Sequence, residues 1–369
     1  MANRLQAIIN KKLVFLLILR KKCLFLHPNK LLYTDMNKIM QWAFVAVLSF
    51  YSVSVLAAGT TINYRLASAD EARKLMQDNT KYYAKMNQMD IDWRMRKDGS
   101  TLAELQAMAQ QQAHDWTDAE REFMAKVVGI VTDSLNSIGC QLPVPSEIVF
   151  AKTTQTEEGG SGAYTIKNII FLGEMSMNAC MPNAERAAEV NHARLMWFAK
   201  LVAHELFHCV SRHSPEFRQK MYSLIGFTVM DHDITFPDAI RQRIAINPDV
   251  EHMDNYAEFT INGQKRRCEL ILLYDKSWKE ASAEKGDDIV FFLFVKPTLV
   301  PLDDMTKVYD IAEASDFWTT VGQNTDYVIA PEECMADNFS YAVIQGMNPA
   351  KPYKSPELIR NIITALKQL

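Results

Sequence analysis

The chain shows no internal repeat, no low-complexity tract, no phosphate-loop motif and no GxGxxG fingerprint. Repeat arrays and the common nucleotide-cradling loops therefore have no support in it. A basic surplus is missing too. Residues 58–369 hold 32 Lys or Arg against 43 Asp or Glu, a formal charge of about −11. That acidic balance argues against non-specific nucleic-acid binding. Histidine is scarce, with eight in 369 residues, so two of them close together carry information. Cysteine is also sparse, and five of the six lie beyond residue 57.

Two histidines do cluster. His204-Glu205-Leu206-Phe207-His208 is an H-E-x-x-H pattern. It sits in Arg194–His213, a stretch free of Pro and Gly, where Leu195, Phe198, Leu201, Val202 and Leu206 recur at helical spacing. Ser214-Pro215 stops that helix, and Pro215 can begin the next one. On a helix, positions four apart share a face, so both imidazoles can reach one Zn²⁺. Glu205 then lies beside the metal, where a carboxylate can take a proton from water. Two histidines and a glutamate in so apolar a helix would be costly to bury without partners or a metal.

A catalytic zinc usually takes three protein ligands and keeps one open position. No third histidine follows at the H-E-x-x-H-x-x-G-x-x-H spacing, and His213 would point away from His208. A distant carboxylate is the alternative. Pro331-Glu332-Glu333-Cys334-Met335-Ala336-Asp337 contains E-x-x-x-D, with Glu333 and Asp337 on one helix face. Glu332 is a competing ligand, about 100° round the same helix.

The two motifs together resemble those of gluzincin-type zinc metallopeptidases, in which H-E-x-x-H is followed by a distant E-x-x-x-D. The resemblance covers the two motif helices, and a step of 124 residues separates His208 from Glu333. It implies His204, His208 and Glu333 as Zn²⁺ ligands, Asp337 as the acceptor that orients a ligand histidine, and Glu205 as general base. It also implies a protein or peptide substrate, cleaved as by an endopeptidase. An edge strand just before the motif helix would pair with the extended substrate. Ala163–Ile166 and Ile169–Leu172 are the candidates for that strand. Tyr164, Tyr327, Tyr341 and His213 are candidates for stabilising an oxyanion, and none is preferred. The alternative function is a non-catalytic zinc-binding or partner-binding protein on the same fold.

The expected fold class is α+β and zincin-like, rich in helix, with a small mixed sheet before the H-E-x-x-H helix and a β-rich insertion between the motif helices. Ser68…Glu71, Thr101…Glu104 and Thr117…Glu120 read as capping boxes opening helices, the third over 118–138. Strand-like runs follow at 147–152 and 164–172. A hairpin is expected around Asn262-Gly263, and a buried strand over 289–295, ended by Pro297. The expected segments are an N-terminal catalytic lobe over 58–247, the insertion over 248–301, and a C-terminal helical part over 302–369 that supplies the third ligand.

Met36–Ala58 has a short basic start, an apolar run and a small-x-small ending, the pattern of a signal peptide cut near Ala57 or Ala58. Residues 36–57 are thus read as signal peptide or anchor, and 1–35 as an upstream extension with Met36 or Met40 as the true start. The expectation is export to a periplasm or the medium, with anchoring by residues 39–58 as the alternative. In an exported protein cysteines can pair or serve as small buried residues, and the odd count of five leaves at least one thiol free. Cys140–Cys180 is the first pairing to consider, and Cys209–Cys334 the second, because each of the latter adjoins a proposed ligand.

Overall fold

The computed structural model describes residues 59–160, 162–286 and 290–369. The signal or anchor segment and the upstream extension lie outside the described residues, as does the start of the 289–295 run. The fold is α+β, and residues 58–369 form one unit.

The first half is helical and feeds a mixed sheet. Strand β1 (Tyr64–Leu66) is followed by α1 (Ala69–Gln77), α2 (Thr80–Tyr83), α3 (Gln88–Met95), α4 (Leu102–Gln110), β2 (Ala113–His114) and α5 (Asp118–Ile138). Thr101 and Thr117 close full capping boxes with Glu104 and Glu120. Ser68 caps in one direction only: it accepts from the Glu71 N–H, while the Glu71 carboxylate turns to Arg65. A further box, Asn87 with Asp90, opens α3. The 118–138 helix forms as expected and buries Phe123, Val127, Val128, Val131 and Leu135.

Strands β3 (Ile148–Thr153), β4 (Ala163–Ile166) and β5 (Ile169–Gly173) complete the sheet. Its order is β1-β3-β5-β4, with β2 also pairing with β3. β3 runs parallel to β1 and β5, and β4 returns antiparallel along β5, so β4 is an edge strand. The 164–172 run is thus two strands, turned at Lys167, whose φ of 59° is left-handed.

A short helix α6 (Glu174–Cys180) leads to the long α7 (Ala188–His213), which starts six residues earlier than its apolar stripe suggested. Ser214 ends α7 and caps α8 (Pro215–Ser223), accepting from Phe217 N–H at 3.3 Å, with Pro215 in the first turn. The main core lies between the mixed sheet, α5, α7 and the C-terminal helices, with Phe198 against Phe123 and Phe207 against Phe339.

A second, wholly antiparallel sheet separates the two motif helices. It is wider than the expected 248–301 insertion. Strands β6 (Phe227–Val229), β7 (Asn255–Ile261), β8 (Gln264–Tyr274), β9 (Val295–Pro301) and β10 (Tyr309–Asp310) lie in the order β10-β9-β8-β7-β6. The short α9 (Asp238–Arg241) falls between β6 and β7, and α10 (Trp278–Lys285) between β8 and β9. Asn262-Gly263 forms the two-residue hairpin, both with positive φ. β9 does not end at Pro297 but runs through it. Pairing with β10 covers only Thr298 and Leu299, so the missing N–H of Pro297 breaks no rung on that side. The 291–293 stretch, expected as strand, is a 3₁₀ turn. Helices α11 (Phe317–Val321), α12 (Pro331–Ile344) and α13 (Pro356–Leu366) finish the chain.

Among the described residues the cysteines do not pair: Cys140, Cys180, Cys209, Cys268 and Cys334 are all free thiols buried in the main core. They serve as small apolar residues, and burial pushes the Cys334 thiol up to about 12. No helix among the described residues is long and apolar enough to cross a membrane.

Candidate metal centre

α7 packs against α12, and the two motifs meet there. His204 and His208 lie one turn apart on α7, with ring centroids 4.9 Å apart. Pro331 starts α12 and places Glu332 and Glu333 in its first turn, where the helix end favours carboxylates. Nε2 of His204 is 3.0 Å from Glu333 Oε2, and Nε2 of His208 is 3.6 Å from the same oxygen. All three groups are buried.

The far side of each imidazole is held. Nδ1 of His204 donates to Asp337 Oδ1 at 3.1 Å, and Thr325 Oγ1 fixes the other oxygen of Asp337 at 2.5 Å. Nδ1 of His208 donates to Glu332 Oε1 at 3.0 Å. Glu332 also accepts from Ser211 Oγ at 2.5 Å and from the Tyr222 hydroxyl. Glu332 is therefore not a rival ligand. Its 100° offset from Glu333 turns it to the back of His208, where it does for one imidazole what Asp337 does for the other. With both Nδ1 atoms donating, both Nε2 lone pairs face Glu333.

These residues fit a divalent metal ion. Tetrahedral ligands at zinc–nitrogen distances stand about 3.3 Å apart, close to the spacings seen here. His208 Nε2 is fully buried with no hydrogen-bond partner among the described residues, an orphan that a cation would satisfy. The ligand-capable atoms of His204, His208 and Glu333 all lie within 4.8 Å of one another.

The electrostatics point the same way. Burial opposes charge on His204, but the Asp337 and Glu333 carboxylates outweigh it and hold the imidazole well above its ordinary value. Burial also opposes ionisation of Glu332, yet its hydrogen bonds from His208, Ser211 and Tyr222 keep it below the usual carboxylate range. The cluster of carboxylates thus favours positive charge at His204, and a divalent ion bound there would displace that proton.

Glu205 lies beside the triad, and with His208 and Asp249 it makes a second buried group whose ligand-capable atoms lie within 4.8 Å of one another. Glu205 Oε2 accepts from Thr165 Oγ1 of β4 at 2.7 Å, and burial raises its pKa. Sequence reading missed several neighbours. Asn247 Nδ2 donates to Glu333 Oε1, which steadies that carboxylate. Asp249 Oδ1 stands 3.9 Å from His208 Nε2 and accepts from the Thr165 N–H at 2.6 Å. The expected boundary at 247/248 passes between Asn247 and Asp249, both of which reach the site. Nothing in Asn247-Pro248-Asp249 signals this, because only the tertiary fold brings the loop to α7.

A cleft of about 260 Å³ opens onto His204, Glu205 and Glu333, bordered by Trp197, Lys200 and Tyr327. A lobe of about 330 Å³, lined by aromatic residues but also by Arg94, Arg96 and Glu158, adjoins it and shares Ala163, Asp249 and Tyr327. Of the four oxyanion candidates, Tyr327 borders the cleft itself. Tyr164 borders the adjoining lobe but spends its hydroxyl on Glu157 at 3.1 Å. Tyr341 lies under Lys200, whose ammonium is 4.4 Å from the ring centre. His213, the last residue of α7, does not border the cleft. On the rim, Gly159 (φ +73°) admits no side chain, since a Cβ there would fall 1.9 Å from the Trp93 ring.

Glu332→Gln should lower zinc affinity by roughly 10- to 100-fold, because the amide no longer anchors the His208 Nδ1–H as an anion does. A competition titration against a chromogenic chelator measures this, and wild-type affinity would remove Glu332 from the site. No family model, curated protein or solved structure matches this chain.

Proposed function

We propose that the protein is an exported zinc-dependent metallopeptidase with a zincin-like, gluzincin-type site. The observation that carries this reading is the convergence of His204 Nε2, His208 Nε2 and Glu333 Oε2, with a further carboxylate, Glu205, held beside them by Thr165. A purely structural zinc has no need of that fourth group. Bound at the three ligands, Zn²⁺ would supply Lewis acidity toward a carbonyl oxygen and lower the pKa of water.

The chain's own residues do the rest. Asp337 and Glu332 hold the imidazoles in the tautomer that presents Nε2. Thr165 fixes Glu205 through Oε2, leaving Oε1 to take a proton from the attacking water and return it to the departing amine. The Tyr327 hydroxyl borders the cleft as a donor for developing negative charge. Hydrolysis of an unstructured polypeptide that requires both zinc and Glu205 tests the reading. A protein that binds zinc and cleaves nothing is instead a zinc-binding or partner-binding module.

A further inference from the structure

The free edge of β4 is closed partway along. Gly173 N–H bonds to Gly162 O at 3.0 Å, so Gly162 faces β5. Alternation then turns the main-chain groups of Tyr164 and Ile166 toward β5, and those of Ala163 and Thr165 outward. Both outward groups of Thr165 are already taken from within the chain. Its N–H donates to Asp249 Oδ1 at 2.6 Å, and its carbonyl accepts from an Arg212 nitrogen at 2.9 Å. The other terminal nitrogen of Arg212 binds Pro248 O and Asp249 O at 3.0 and 2.9 Å, which ties this segment down on the strand. Ala163, by contrast, borders both the cleft and the adjoining lobe.

An extended chain laid on β4 can therefore pair beside Ala163, but it meets Asp249 at the next outward position, about 7 Å along. Antiparallel pairing is the commoner kind, and it is how β4 pairs with β5. β4 runs from Ala163 toward Thr165, so an antiparallel guest points its amino end at Asp249. The dead end carries a carboxylate, and the adjoining groups Glu205 and Glu333 are acidic too. An α-ammonium would relieve this crowding of acidic groups, and an incoming carboxylate would add to it.

We propose, on the peptidase reading above, that Asp249 captures the free α-amino group of a peptide whose first bond lies over His204, His208 and Glu333. The protein then trims residues from amino termini, in place of the internal cleavage expected from its motifs. One water is consumed per bond. Its oxygen bonds to the carbonyl carbon as the C–N bond breaks, and both its protons end on the departing amine, leaving a carboxylate and an ammonium. The adjoining lobe, where Trp93, Phe291, Phe292 and Ile329 stand alongside Arg94 and Glu158, gives room for a bulky first side chain.

The test uses the zinc-loaded Glu205→Gln protein and calorimetry with two peptides, Phe-Ala-Ala-Ala and its N-acetyl twin. The free amine should bind about 10- to 100-fold more tightly, the worth of one charge-assisted hydrogen bond. Adding Asp249→Asn should bring the twins together while zinc stays bound. Equal affinity of the twins, or binding of neither, overturns the proposal, and this comparison needs no Asp249 variant to fold. Wild-type protein should release Phe from the free peptide alone. If it cleaves both twins equally, amine capture falls and the peptidase reading stands. If it cleaves neither while the binding preference holds, the peptidase reading falls and amine capture stands.

Discussion

Glu205→Gln should keep the metal and lose the chemistry, with kcat/KM for peptide hydrolysis falling by about 10²- to 10⁴-fold. The substitution is close to isosteric. A glutamine carbonyl can still accept the Thr165 hydroxyl now bound to Oε2 at 2.7 Å, so the side chain keeps its place. His204, His208 and Glu333 are untouched, and so are their supports Asp337 and Glu332. What disappears is a group able to take a proton from water. Steady-state kinetics on an unstructured polypeptide, with zinc content measured on the same samples, reads both halves of the prediction. Unchanged turnover would refute Glu205 as the base. Loss of zinc would mean that Glu205 is itself a ligand.

Zinc should also stabilise the fold strongly. Five carboxylates, from Glu205, Asp249, Glu332, Glu333 and Asp337, gather around two imidazoles, with Lys200, Arg212 and Arg218 among the neighbouring cations. A ligand that binds only the folded state at 1,000 times its Kd contributes about 4 kcal/mol. For a chain of this size that corresponds to about 6 °C in Tm. Thermal unfolding with excess zinc and with chelator should show that difference for the wild type and none for His208→Ala. Identical curves for the wild type under both conditions would place the metal, if any, elsewhere.

The parts of the site legible in the sequence are those set by helical spacing. His204 and His208 share a face because they are four apart, and Glu333 and Asp337 share one for the same reason. The pairing of the two helices, across 124 residues, came from the family resemblance and not from spacing. Glu332 stays a competing ligand behind Glu333 on sequence alone, because its offset says only where it does not point. What it meets, Ser211 and Tyr222, comes from other helical segments. Thr165 and Asp249 were invisible for a similar reason: a strand and a loop reach the site through the fold alone.

The fold divides along the same line. The Thr101 and Thr117 capping boxes and the Asn262-Gly263 turn are local chemistry and were read directly, whereas Ser68 caps its helix without the reciprocal bond from Glu71. β6 and β10 are too short to announce themselves, so the second sheet extends past the expected insertion at both ends. For the cysteines, the sequence leaves pairing and burial both open, and burial in the core is what the fold adopts. Of the two candidate edge strands, Ala163–Ile166 lies at the sheet edge and Ile169–Leu172 lies inside the sheet, and the closure of that edge by Asp249 and Arg212 was not anticipated.

The most direct test of the central claim is bound zinc per chain, measured after dialysis for the wild type and for His204→Ala/His208→Ala. One equivalent in the wild type and none in the double variant is the predicted result. Zinc retained by the double variant at the wild-type level would contradict it.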